Sequence, residues 1–106
     1  MCYKIESPFV LMHLLYAKGS CTIKEMVAVK RKIEEEMEDV YVDVSRSSVL
    51  ETVSSYPEIF NWDENHIKRK DSADNYFQPD VMDFFSNASM DKSLESKIIQ
   101  CIENNG

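Results

Sequence analysis

Two histidines, three cysteines and nineteen acids are the side chains through which this 106-residue chain could do chemistry. His13 and His66 are the groups whose ordinary pKa suits proton transfer near neutral pH. They are far apart in sequence, and each sits in or beside an apolar run, FVLMHLLY and NHIK. Buried, hydrogen-bonded histidines are expected there, not a catalytic pair. Cys2, Cys21 and Cys101 are odd in number and widely spaced. That pattern predicts neither a disulfide framework nor a zinc site, and it suits a reducing compartment. Glu34, Glu35, Glu36, Glu38 and Asp39 are consecutive or nearly so, which reads as a solvated face and not as a paired-carboxylate site. No Gly-rich phosphate loop or nucleophile elbow occurs. The triplet Asn87-Ala88-Ser89 matches a glycosylation acceptor, but no secretion signal gives it meaning. The chain is therefore expected to be no enzyme, with no cofactor, metal or small-molecule substrate.

Basic side chains offer a second chemistry, the neutralisation of phosphates. Lys30-Arg31-Lys32 and Lys68-Arg69-Lys70 are the two candidates. Consecutive residues on a helix point in different directions, so the first triplet reads as ordinary solubility. The second would lie at the end of a β-hairpin, where it could meet a nucleic-acid backbone. The net charge of −7 opposes strong non-specific binding to polyanions. It is unevenly placed: seven acids and two lysines give −5 over residues 71–106, while twelve acids and ten bases give −2 over residues 1–70.

The elements that must position these groups are mostly helical. A hydrophobic content of 43% is ample for one packed domain, and two glycines with three prolines leave few breaks. Ser7-Pro8 can open a first helix, with the serine as cap. Its stripe of Phe9, Met12, Leu15 and Tyr16 is widened by Val10, Leu11 and Leu14. A helix this apolar either packs on both sides or offers surface to a partner. Gly19 supplies a left-handed stop. Thr22-Ile23-Lys24-Glu25 has capping-box spacing for a second helix, along which Ile23, Met26, Val27, Val29, Ile33 and Met37 recur.

Val40–Val44 reads as extended. Ser45 caps a third helix with Val49, Leu50, Val53 and Tyr56 on its buried edge. Ile59–Trp62 and His66–Lys68 then face each other across Asp63-Glu64-Asn65, with Trp62 expected to anchor the hairpin in the core. Beyond the polar stretch 71–78, Pro79 could open a short helix carrying Val81, Met82, Phe84 and Phe85. A last helix from about Asp91 to Glu103 aligns Leu94, Ile98, Cys101 and Ile102. Helix, helix, helix, hairpin is the order of a winged helix-turn-helix. The fold class predicted is α+β, mostly α: a winged-helix core over residues 1–70 and an acidic helical extension, 71–106, packed on the same domain. The run 9–17 reads as a core helix, too short to span a bilayer.

The third helix is poor in groove-reading side chains. From Ser45 to Tyr56 it carries one base, Arg46, with Glu51 opposing it. RNA, which can be bound through stacking, is less disfavoured than duplex DNA.

The segment VSSYPEIFNWDENHIKRK resembles the close of the winged-helix domains of Egalitarian-type and LOTUS-type proteins of RNA regulation. There a last helix leads into a Tyr-Pro-x-x-Phe turn and a wing with a polar tip. Upstream, LLYAKGSCTIKEM is similar to that family's leucine-rich first helix, glycine and polar-capped second helix. The resemblance covers roughly residues 8–70 and implies an RNA-associated scaffold. This chain departs from it in the acids of Glu34–Asp39 and in its third helix.

The function expected is a non-enzymatic protein-interaction module, adaptor or dimerising, in an RNA-regulatory or other nucleic-acid-associated complex. The contact residues would be Val10, Leu11 and Leu14. The alternative is direct RNA or DNA binding through the wing and third helix, by Arg46, Trp62, Lys68, Arg69 and Lys70. The partners expected are a protein or a second copy, with RNA as the alternative and no membrane; an intracellular location, cytoplasmic or nuclear, follows from the same reading.

Overall fold

A computed structural model describes residues 3–38, 40–78 and 91–105. The fold is α+β and mostly helical. In chain order the elements are β1 (Tyr3–Ile5), α1 (Ser7–Lys18), β2 (Ser20–Thr22), α2 (Ile23–Glu36), β3 (Val40–Val42), α3 (Arg46–Ser55), β4 (Phe60–Asp63), β5 (His66–Arg69), a 3-10 segment (Asp71–Phe77) and α4 (Lys92–Asn105). The Pro79 helix with Val81, Met82, Phe84 and Phe85 lies outside the described residues, as do Cys2 and the Asn87 triplet.

The centre of the molecule is α1. Its residues Val10, Leu11, Met12, Leu14 and Leu15 are all 0% exposed. Of the two readings open to so apolar a helix, packing on both sides is the one found. α2 and α3 lie against it, and α4 also packs on α1 and α2. The expectation that Val10, Leu11 and Leu14 form a contact surface is therefore wrong. The width of the stripe that suggested a docking face instead reflects neighbours on several sides.

Local signals explain the boundaries. Glu6 is the N-cap of α1, with no side-chain cap bond, and Pro8 sits in the first turn. Ser7 was expected to cap; it is instead the first helical residue, and its hydroxyl is bound elsewhere, as described below. Gly19 ends α1 at φ 85°, its N–H donating to Leu15 O at 2.7 Å. The Thr22–Glu25 capping box forms in full: Thr22 Oγ1 accepts from Glu25 N at 3.0 Å, and Glu25 Oε1 from Thr22 N at 3.2 Å. Lys18 adds an ion pair to Glu25, so the end of α1 and the start of α2 are fastened together. Thr22→Ala is expected to lower stability by about 1 kcal/mol, read as a shift of the urea midpoint at unchanged slope.

Two small sheets complete the frame. β1 and β3 pair in parallel, Tyr3 with Val40 and Ile5 with Val42. β2, β5 and β4 form an antiparallel sheet in that order. Cys21 and Trp62 both face Ile67 from opposite sides of the central strand, while Ser20 and Asn61 face Lys68. The hairpin turns through Glu64 at φ 52°, a left-handed conformation disfavoured for an L side chain by about 1 kcal/mol. The next carbonyl, that of Asn65, accepts from Ile23 N at 2.9 Å, tying the hairpin tip to the start of α2.

The described parts of the 71–106 stretch, residues 71–78 and 91–105, contribute to the core. Ala73 and Phe77 of the 3-10 segment and Ile98, Cys101 and Ile102 of α4 join the same buried cluster as α1 and α2. Cys21 and Cys101 are free and buried. Burial pushes the Cys21 thiol up to about 12 and, aided by the hydrogen bond to Glu36, the Cys101 thiol up to about 11. Both are unreactive at neutral pH.

Candidate functional site

The hairpin does not gather its expected residues into one patch. Neighbouring strand residues alternate between faces, so Trp62, paired with Ile67, and Lys68, paired with Asn61, lie on opposite sides of the sheet. Trp62 is 43% exposed and Ile67 is 0%. The core anchor is thus Ile67, on the central strand, and not Trp62, which stands on the edge strand away from the β2 side that α1 and α2 cover. Arg69 lies over the Phe77 ring, 5.1 Å from its centroid, and Lys70 is half-buried. Arg46 donates to Asn65 Oδ1 at 3.0 Å. Of the five residues, Lys68 alone keeps an exposed cation without a side-chain partner among the described residues; Trp62 keeps an exposed ring.

The histidines are separate as well. His13 packs edge-on to Phe9, ring centroids 4.6 Å apart. His66 is exposed on β5, which corrects the expectation of burial. Among the described residues no group of three or more His, Cys, Asp or Glu could hold a metal, and no helix is long and apolar enough to cross a membrane. Glu34, Glu35, Glu36 and Glu38 are exposed, with Lys32 only at 3.9 Å from Glu35 and Glu36.

The first basic triplet behaves unexpectedly. Arg31 is exposed and Lys32 half-buried, but Lys30 is 0% exposed. Its Nζ donates to Ser7 Oγ at 2.6 Å, to Ser48 Oγ at 2.7 Å and to the Asp43 carbonyl at 3.0 Å. An ammonium has three hydrogens, and three oxygens meet them. The lysine thereby joins α2 to the first residue of α1, the end of the β3 segment and the first turn of α3. Desolvation by burial pulls its pKa down from 10.5 to about 8, with Asp43 opposing the fall.

Sequence reading missed this group, although a signal was present. Ile23, Met26, Lys30, Ile33 and Met37 follow one another at steps of three and four, so Lys30 stands on the apolar stripe itself.

Above this cluster opens a cleft of about 260 Å³, lined by Lys4, Ile5, Glu6, Ser7 and Pro8 on one side and by Ser48, Glu51, Thr52, Ser55 and Tyr56 of the α3 region on the other, with Asp43 between. Three carboxylates face one lysine. The Asp43 carboxylate accepts from Ser45 N at 2.9 Å. Hydrogen bonding from Ser45, its side chain first and its backbone second, helped by the charges of Lys30 and Lys4, holds the Asp43 pKa below the ordinary range. Among the described residues neither Glu6 nor Glu51 forms a salt bridge. The lining hydroxyls lean towards accepting: Thr52 Oγ1 donates to Ser48 O at 2.9 Å, and Ser48 Oγ to Ser45 O at 2.8 Å. The arrangement can receive donors and positive charge.

No protein-family model, curated protein or solved structure matches the chain.

Proposed function

We propose that this chain is a winged-helix domain that works without catalysis, as a protein-interaction module in an RNA-regulatory or other nucleic-acid-associated assembly. The strand order supports the winged-helix reading: β2, placed between the first two helices, pairs with the second strand of the hairpin that follows α3. The preference for a protein partner rests above all on α3. Its one base, Arg46, is bonded to Asn65 at the hairpin tip, so a groove-reading helix would enter nucleic acid with Glu51 and hydroxyls only. The net charge of −7 acts in the same direction. The leucines of α1 are buried and form no part of the partner surface.

The exposed Trp62 ring favours one rival reading, RNA held by stacking on the hairpin with Lys68 near a phosphate. A titration of single-stranded RNA at low and moderate salt separates the two. The expected result is no saturable binding by the intact chain. Saturable binding that weakens in Lys68→Glu and falls with salt would establish the rival and remove the protein-partner reading. Sizing of the chain in solution then distinguishes a second copy from a different protein as the partner.

A further inference from the structure

We propose that the cleft between the β1–α1 junction and α3 receives an arginine side chain presented by a partner protein; this rests on the protein-interaction reading above and names the chemistry of its contact. Three observations carry it. The first is shape: the cleft is concave, about 260 Å³, and placed where two structural layers meet, β1 with the start of α1 on one side and α3 on the other.

The second is charge. Glu6, Asp43 and Glu51 outnumber Lys4, and Glu6 and Glu51 have no cationic partner among the described residues. An arriving cation therefore meets carboxylates that are not already neutralised within the chain. A guanidinium is the fitting cation, because its five hydrogens lie in a rigid plane and can serve several acceptors at once. The hydroxyl of Thr52, whose own hydrogen is committed to the Ser48 carbonyl, would meet it as an acceptor.

The third is rigidity. Lys30 holds Ser7, Ser48 and the Asp43 backbone from below through three hydrogen bonds. A cleft whose floor is fastened to α2 in this way need not be ordered when a ligand arrives, which lowers the cost of binding. The Lys30 ammonium offsets part of the Asp43 charge from beneath, so Glu6 and Glu51 are the carboxylates left to meet an arriving cation. A lysine also occupies the apolar stripe of α2 at a desolvation cost, and the three anchored residues all border this cleft.

The test uses the full-length chain, labelled for amide spectra, and three blocked pentapeptides of alanine with a central arginine, lysine or citrulline. Citrulline keeps the shape of arginine and removes its charge. The expected result is saturable shifts at Glu6, Ser7, Asp43, Ser48, Glu51 and Thr52 with the arginine peptide. Its citrulline counterpart should bind at least about tenfold more weakly, and the double variant Glu6→Gln/Glu51→Gln should lose about tenfold for arginine. Both variant positions are exposed, and an unchanged spectrum of the free variant verifies its fold. Equal binding of arginine and citrulline, or no saturable shift at these residues, overturns the proposal. Saturable shifts confined to another surface, such as Glu34–Glu38, reject the cleft while leaving a protein partner in place. RNA binding in the titration described above instead removes the reading on which the cleft rests.

Discussion

Replacing Lys30 with methionine should remove an alkaline gain in stability that the native chain possesses. The unfolded chain holds the lysine proton with the ordinary pKa of 10.5, the folded chain with one of about 8. Between those values the unfolded state binds more protons, so stability rises with pH. Below pH 8 the folded state carries the full penalty of a desolvated ammonium, about 3 kcal/mol by the free-energy value of a pKa unit. Cys21 and Cys101 act in the opposite sense. Their raised pKa values mean the unfolded state loses thiol protons first, which lowers stability as pH climbs past 9.

The two trends overlap, and the variant separates them. Between about pH 7 and about pH 9 the native chain should gain about 1 kcal/mol relative to Lys30→Met in urea unfolding. Parallel pH profiles for the two proteins would show that Lys30 keeps an ordinary pKa. Lys30→Ala is a different matter. It leaves a void and three oxygens without their donor, and a loss of about 3–5 kcal/mol is expected at neutral pH.

Removing residues 71–106 should abolish cooperative folding. Ile98 and Ile102 are 0% exposed and Cys101 is 4%, and α4 packs against both α1 and α2. Without it one flank of α1 would face water, and α1 has hardly any polar side chain to present there. Each buried isoleucine lost is worth about 2–5 kcal/mol when truncated, and the 3-10 segment takes Ala73 and Phe77 away with it. Against a typical domain stability of about 5–15 kcal/mol, these losses are decisive. The measurement is a urea titration of residues 1–70 followed by circular dichroism and a dye for exposed apolar surface. A sigmoidal two-state transition near that of the full chain would refute the claim that the acidic segment completes the core. The milder substitution Ile98→Ala, in the full chain, should shift the transition without removing it.

Elements with local signals were legible in the sequence. Thr22-Ile23-Lys24-Glu25 spells out a reciprocal cap, Gly19 a left-handed stop and Ser45 the start of α3, and each forms as read. The hairpin pairs Phe60–Asp63 with His66–Arg69, one residue beyond the strands expected. The last helix runs a little further than the Asp91–Glu103 expectation. What could not be read depends on distant neighbours. β1 and β2 are three residues each, too short for periodicity, and exist because partners far along the chain complete them. The fate of α1 was ambiguous for the same reason: an apolar helix looks alike whether its far side meets another helix or a partner. Lys30 was half legible. Its place on the α2 stripe is in the sequence, but that Ser7, Ser48 and the Asp43 carbonyl would converge on its amine is a fact of three-dimensional approach. The exposure of Trp62 depends on which strand of the sheet lies outermost, and composition is silent on that.

The parallel pairing of β1 with β3 has a consequence for time order. Tyr3 meets Val40 and Ile5 meets Val42, with all of α1, β2 and α2 between them in the chain. A loop of that length closes against chain entropy, and two three-residue strands return little for it until the intervening helices have drawn their ends together. β1 is therefore expected to pair late in folding, after the intervening helices have packed. Because β1 leads directly into Ser7, its pairing fixes one of the three acceptors around the Lys30 amine and one wall of the cleft. The N-terminal strand is in this sense a latch, closing only after the rest of the molecule has taken shape.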